Sequence, residues 1–384
     1  MHRKMNRTLI AILALSIAAV ACSPSPVSST ARTRNPTVGL SGRSRYKIAS
    51  TTSTSTSTST TTTAKPRTTT TTAKATTTTA APAASGNGSS APATSQQTPR
   101  DPALWPFSIN SPFNTPVGTG AQFASDNDSR SQAMRNLDAN INAGSWSIPV
   151  YTASSSDPFT TVNGSTFQIP SNATPSLPYG GDQNLLVIDP THRYVDEMWS
   201  ASGSGSYWSA GYHVRNDITG PGIGNGGVRA AGVSSLGGLI RNWELYFGSI
   251  RHALAMALPR SLQQPGSVWP AESEDYDARS TYGGNIPIGT LFAIPSSVDL
   301  NSLGLTPQGL VVARALQQFG AYDLDSADGN AVFYAEPTAE GSIGNARGDI
   351  SKLVKLLRPI TNNTAGSVGG GGSPTAPTAP PLDR

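Results

Sequence analysis

The chain has 384 residues with 27 Lys and Arg, 23 Asp and Glu and a single cysteine, so an intramolecular disulfide and a Cys-based metal site are both excluded. The net charge of +4 conceals a division, because residues 1–100 hold 12 of the basic residues and no acid, which leaves residues 101–384 at net −8. A nucleic-acid partner is therefore not expected for the folded part, since such binding is dominated by neutralising phosphates.

In chain order, Arg3, Lys4 and Arg7 precede an apolar run from Leu9 to Val20, and Ala19-Val20-Ala21-Cys22 follows. This pattern predicts a signal peptide over 1–21 with a cleavage site of the bacterial lipoprotein kind. The run falls short of the ~20 apolar residues that a spanning helix needs. Cys22 is the expected lipidation site, which would hold the chain on the outer face of the cell membrane. Ala19 stands where such sites usually carry Leu, so plain secretion after Ala21 is the alternative, and both place the protein outside the cell. Residues 22–100 are Thr, Ser, Ala and Pro with almost no large apolar side chain, too little to offset chain entropy, and predict a disordered stalk. The Gly, Pro and Thr of residues 361–384 predict an unstructured tail.

Residues 101–360 have the length of one domain. An extended, Pro-punctuated segment from Pro102 to Asn114 is expected to lie on its surface. Leu185 to Ile188, a turn at Asp189-Pro190-Thr191-His192, and Tyr194 to Trp199 predict a hairpin, with Tyr207 to Val214 as a third antiparallel strand. On the second strand Val195, Glu197 and Trp199 share one face. The glycines of Thr219 to Gly227 lack the preceding strand and following helix of a phosphate loop and read as a surface loop. A helix is expected from Ser234 or Ser235 to Phe247 with Gly248 as its stop, then a strand from Ile250 to Leu258 with both faces covered. A strand over 288–294, a helix opened by Thr306-Pro307, a hairpin of 321–325 with 331–336, and a last helix over 349–357 follow. The expected fold class is mainly β, an antiparallel sandwich or jelly-roll-like domain with a few packing helices.

Few residues of this sequence announce chemistry. Glu197 beside Trp199 is what a sugar site needs, an aromatic face for stacking and a carboxylate for protons, and Trp208 and Tyr212 could extend the platform; a packed sheet rim explains them equally. Glycoside hydrolysis asks for two carboxylates, and Asp325 is the candidate partner of Glu197. His252 stands among Ile, Leu and Met on a strand face beside Arg251, either as a hydrogen-bonded core histidine or as an acid or base in a cleft. No cofactor is expected. Calcium is the one metal admitted by Asp323-x-Asp325 with Asp328-Gly-Asn330, a spacing one residue off the EF-hand loop. The cluster from Glu272 to Asp277 reads as a solvated loop.

The segments Gly238-Leu-Ile-Arg241, Glu244, Gly248-Ser-Ile-Arg-His-Ala-Leu254, Val268-Trp-Pro-Ala271, Ile286-Pro-Ile-Gly-Thr290 and Arg314-Ala-Leu-Gln317 with Gly320-Ala-Tyr322 give the region a familiar look. It resembles a group of secreted, largely uncharacterised bacterial proteins. The resemblance implies a single extracellular domain, transfers no activity, and marks Glu197, His252 and Tyr322 as positions inside matching segments.

Two function classes fit this reading. One is an enzyme on extracellular or cell-wall polysaccharide. It would be either a hydrolase using Glu197 with Asp325, or a lyase using His252 and Tyr322 as base and acid with Arg251 or Arg241 steadying a uronate. The acidic domain favours hydrolysis of a neutral glycan. The other is a non-catalytic glycan-binding or adhesion domain on a stalk, for which Trp199, Trp208 and Tyr212 would suffice.

Overall fold

The computed structural model describes residues 98–383; the signal peptide, Cys22 and the stalk to residue 97 lie outside the described residues. The body is mainly β with a few helices, its strands arranged in several mixed and antiparallel sheets. Two sheets dominate. The smaller has the order Val150–Thr152, Leu185–Ile188, Tyr194–Trp199, Tyr212–Asp217. The larger runs Ala139–Asn142, Ala331–Tyr334, Leu254–Pro259, Ala321–Ala327, Leu291–Ala293, Arg358–Pro359.

The predicted hairpin forms in the smaller sheet with Leu185 opposite Met198 and Ile188 opposite Val195. Asp189 fixes its turn by accepting the backbone N–H groups of Arg193 and Tyr194, both at 2.9 Å. The third strand begins later than predicted. Ala210 and Gly211 break the run, so Tyr207–Ser209 folds onto Ser202–Ser204 as a separate hairpin and only Tyr212–Asp217 joins the sheet.

Leu254–Pro259 is buried at every residue because its two faces meet different layers. Leu254, Met256 and Leu258 pack with the helices Pro307–Gln318 and Ala346–Val354. Ala255 and Ala257 face Leu186, Ile188 and Val195 of the smaller sheet, and small side chains here let the sheets approach closely. A third cluster, with Phe167 and Trp208, covers the outer face of the smaller sheet. The long helix follows its predicted start: Thr306 caps it through the Gly309 amide, and Pro307 occupies the first turn, where no N–H is needed.

Three expectations are corrected. Ala321–Ala327 and Ala331–Tyr334 do not pair as a hairpin; Leu254–Pro259 lies between them, parallel to the first and antiparallel to the second, because its apolar faces bury more than a two-stranded ribbon could. The segment from Pro102 to Asn114 is not superficial: Trp105, Phe107 and Phe113 are buried, and the Phe113 ring lies so close to Gly237 that any Cβ there would collide. Residues 361–383 form an ordered strap rather than a loose tail. Gly118 N–H donates to Gly369 O at 2.9 Å, Thr375 N–H to Val117 O at 3.1 Å, and Asp383 N–H to Arg100 O at 2.9 Å. The buried Arg100 guanidinium donates to the carbonyls of Trp105, Pro106 and Phe107, and its Nε to that of Pro380, so both ends of the body are fastened together.

Candidate functional site

At one rim of the two-sheet body, acidic side chains from three separate segments, near 182, 275 and 325, converge. Asp325 stands near the end of Ala321–Ala327, just past an irregularity in register where Met256 pairs with Asp323 and Ala257 with Asp325. Leu324 is the extra residue, and the bulge turns Asp325 away from its neighbour. The Asp325 carboxylate accepts the Ser326 amide at 3.0 Å and the Tyr334 hydroxyl at 3.2 Å. Burial, then the negative charges of Asp182 and Asp275, push its pKa up to about 7, against a smaller pull from Arg229.

Its surroundings explain that value. Asp275, in the loop read as solvated, accepts the Tyr282 hydroxyl at 2.9 Å and the Ser326 hydroxyl, and it lies 3.4 Å from Arg260. Asp323 is fully buried and accepts from Gln263 Nε2 at both oxygens and from the Leu258 amide, and the same Nε2 donates to the Asp325 carbonyl. Burial, and then the Asp325 charge, push the Asp323 pKa well above the ordinary aspartate value, against the Gln263 bond. Arg229 is buried with its guanidinium 4.7 Å over the Tyr334 ring. Nη1 donates to Gly237 O at 2.8 Å, while Nε and Nη2 find no acceptor among the described residues. Tyr334 is itself held protonated, first by burial and then by Asp325. The arrangement is a half-buried acid, charged neighbours of the same sign, and one buried cation behind it.

Trp199 borders this centre on the smaller sheet. It shares the inner face of its strand with Glu197 and stands opposite Tyr212. Its Nε1 donates to Asp182 at 3.3 Å, and the Asp182 charge reaches both Asp325 and Tyr334. Tyr212 is half-buried beside Gly226, whose loop is held by Glu272 through the amides of Gly224 and Gly226.

The structure thus brings Trp199, Tyr212 and Asp325 to one rim and leaves the other candidates elsewhere. Glu197 lies beneath it, fully buried, accepting from Ser234 Oγ, Ser235 N–H and Asn216 Nδ2. Burial raises its pKa, while those donors and Arg229 oppose the shift. Its carboxylate ties the strand to the loop that presents Arg229, and it has no exposed edge for a substrate. Trp208 is buried in the outer cluster with Nε1 donating to Gly205 O, so it leaves the platform. Tyr322 is a core residue, its hydroxyl 3.5 Å from Asn363 and its pKa raised by burial.

His252 is sealed elsewhere. It precedes its strand rather than lying on it, because Leu254 is the first paired residue. Nδ1 faces Ala253 O at 2.9 Å and Nε2 faces Glu244 at 3.0 Å. Both partners are acceptors, so both nitrogens carry protons. Burial pulls the pKa down, but the Glu244 charge and hydrogen bonds outweigh it and the net shift is upward. Glu244 also receives the Arg241 amide, and Arg241 pairs with Glu336 at 2.6 Å. Arg251 lies over the Trp105 ring at 4.5 Å, part of the same lock and remote from any uronate position beside Asp325.

The calcium spacing does not converge either. Asp323 is closed off by Gln263, while Asp328 and Asn330 sit exposed at the turn. Among the described residues no three His, Cys, Asp or Glu side chains are placed to hold a metal, and no helix is long and apolar enough to cross a membrane. A cleft of about 890 Å³ lies between Asp101, His192, Arg193 and Asp383. There Asp101 pairs with His192 at 2.9 Å and Arg193 with Asp217 at 3.3 Å, whereas at the Asp325 rim burial and like charges act on a single carboxyl; that chemistry selects the site.

Asp182 and Asp275 escape a sequence reading because each stands in a Gly- or Glu-rich loop that looks solvated. Arg229 lies in an Ala- and Gly-rich stretch. The one available signal was that Asp325 follows Asp323 on a strand that must be buried. Comparison with protein-family models, with curated proteins and with solved structures found no match in any of the three.

Proposed function

We propose that the protein is a secreted or surface-tethered polysaccharide-active enzyme, held outside the cell through Cys22, that hydrolyses a neutral glycan at the Asp325 rim. The observation that carries this reading is one half-buried carboxyl, Asp325, poised at about 7 beside the solvent-facing carboxylate of Asp182 and the Trp199 ring. A group with that pKa is protonated below neutrality and gives its proton readily, as a general acid must. Asp325 protonates the departing glycosidic oxygen. Asp182, whose charge acts on Asp325, is the second carboxylate, acting on the anomeric carbon directly or through water. The Tyr334 hydroxyl holds the acid in place, the Arg229 charge limits how far its pKa rises, and Glu197 lies below. The local excess of negative charge disfavours a polyuronate.

The non-catalytic reading rests on the same aromatics, since Trp199 and Tyr212 can stack on a sugar without any proton transfer. The two readings separate in one assay. The purified chain is incubated with neutral and acidic wall and plant glycans, and new reducing ends are counted. Hydrolysis of a neutral glycan that is lost in Asp325→Asn supports the enzyme. Binding without release of reducing ends from any glycan supports the binding domain and sinks the hydrolase.

A further inference from the structure

Around the loop 177–183, which presents Asp182, stand three solvent-facing aromatics, of which only Trp199 borders the hydrolytic centre. Trp146 is 46% exposed, Tyr179 71% and Trp199 39%. The Trp146 indole lies directly on Gly181, where an added Cβ would sit 2.8 Å from two ring carbons, and its backbone N–H donates to Leu177 O. Trp199 is fastened to the very next residue through Nε1 and Asp182. The two indoles therefore flank residues only one Cα step, about 3.8 Å, apart.

The backbone around them is held in an uncommon state. Six non-glycine residues among those described have positive φ, and three of them, Trp146 (52°), Gln183 (46°) and Ser200 (52°), belong to this one junction. For a bulky residue such as Trp that conformation is costly and is kept only where the surroundings impose it. They do: Ser200 N–H donates to Asp182 O at 2.7 Å, Ala201 N–H to Gln183 O at 3.0 Å, and Gln183 Oε1 accepts the Gly180 amide at 3.0 Å. The effect is to hold a large apolar ring against solvent in a fixed pose, which burial alone would never favour.

We infer that Trp146, Tyr179 and Trp199 form a glycan subsite adjoining Asp325, and that it takes neutral hexopyranose units of a chain that extends from the hydrolytic centre. The inference rests on the glycan reading above and goes beyond it by assigning a second binding element and its ligand class. Pyranose faces are apolar and suit exposed indole and phenol rings, while their rims are hydroxyl donors, which Asp182 can accept. Asp182 with Asp325 and Asp275 makes the neighbourhood negative, so an anionic sugar is repelled and a neutral one is not.

The test uses the Asp325→Asn protein, so that ligand is not consumed, titrated calorimetrically with cello-, manno-, chito- and laminari-hexaose and with a hexauronate. One neutral hexaose should bind, with blue-shifted tryptophan fluorescence. Adding Trp146→Ala should weaken Kd about tenfold, as for a stacked aromatic anchor, and Trp146→Phe should restore most of it. The loss should be smaller for the matching disaccharide. In the otherwise unmodified enzyme Trp146→Ala should raise KM rather than lower kcat. Unchanged Kd in Trp146→Ala, with hydrolysis still dependent on Asp325, overturns the subsite and leaves the hydrolase standing. Trp146-dependent binding without hydrolysis by the unmodified enzyme overturns the hydrolase and leaves the subsite standing. Failure of every neutral hexaose to bind or be cleaved, or preference for the hexauronate, overturns the subsite.

Discussion

Two buried ion clusters of this domain look alike in composition and differ in what they leave unfinished. Around His252 the charges are matched, with His252 and Arg241 facing Glu244 and Glu336, and each carboxylate is also tied to backbone amides. Around Asp325 the matching is incomplete: the charges of Asp182 and Asp275 both act on it, and two guanidinium atoms of its neighbour Arg229 find no acceptor among the described residues. A third cluster, Asp196 bonded to His213 at 2.8 Å and Arg215 at 2.7 Å, is closed in the manner of the first. A satisfied cluster holds the fold together. An unsatisfied one holds a proton near neutrality, and that is the property a reaction can use.

The largest difference should appear on removing one member of each. Asp325→Asn should cut glycan hydrolysis by at least ~100-fold, the usual contribution of a general acid, with little loss of stability. His252→Ala should do the reverse, leaving kcat per folded molecule unchanged and costing about 3 kcal/mol in urea unfolding, because Glu244 is then buried without its counter-charge.

The pH dependence of stability separates the clusters next. The folded pKa of His252 lies above its unfolded value, so its contribution is fully present below about 6.5 and is lost as pH rises through the raised folded value. Thermal unfolding followed from pH 5 to 9 should show that decline, and His252→Gln should flatten it. Asp325 is also raised, from 3.8 to about 7, so ionising it costs the fold stability as pH climbs across that interval. Asp325→Asn should remove that second slope while keeping the first.

A smaller effect tests the charge balance at the rim. Asp182 raises Asp325, so Asp182→Asn, which also removes the second carboxylate of the reaction, should move the Asp325 midpoint in a carboxyl NMR titration toward acid, by less than the full shift of Asp325. The same substitution should leave the His252 slope unmoved. Smallest of all, Trp199→Phe should change KM severalfold at most, since a ring remains but the bond to Asp182 is gone.

The sequence discloses the scaffold better than the site, for a physical reason. Periodicity follows burial along a single element, so Tyr194–Trp199, Leu254–Pro259 and the Pro307 helix can be read from their own residues. The face shared by Glu197 and Trp199 is correct, yet alternation cannot tell that the first lies under the rim and the second upon it. His252 illustrates the limit, because its partner Glu244 sits in the short helix Asn242–Phe247, and only the turn between them brings the two together. The Asp325 cluster draws on segments near 182, 229, 275 and 334, none of which carries a local sign of the others.

The proposed hydrolysis turns on the protonation state of one carboxyl, which can be measured without knowing the glycan. Carbon-detected NMR of protein labelled at aspartate carboxyl carbons, titrated from pH 3 to 9 and assigned by comparison with Asp325→Asn, should show one carboxyl titrating near 7 that vanishes in the variant. If the resonance lost in Asp325→Asn instead titrates near the ordinary value of 3.8, the rim holds no proton donor at neutral pH, and the central claim is contradicted.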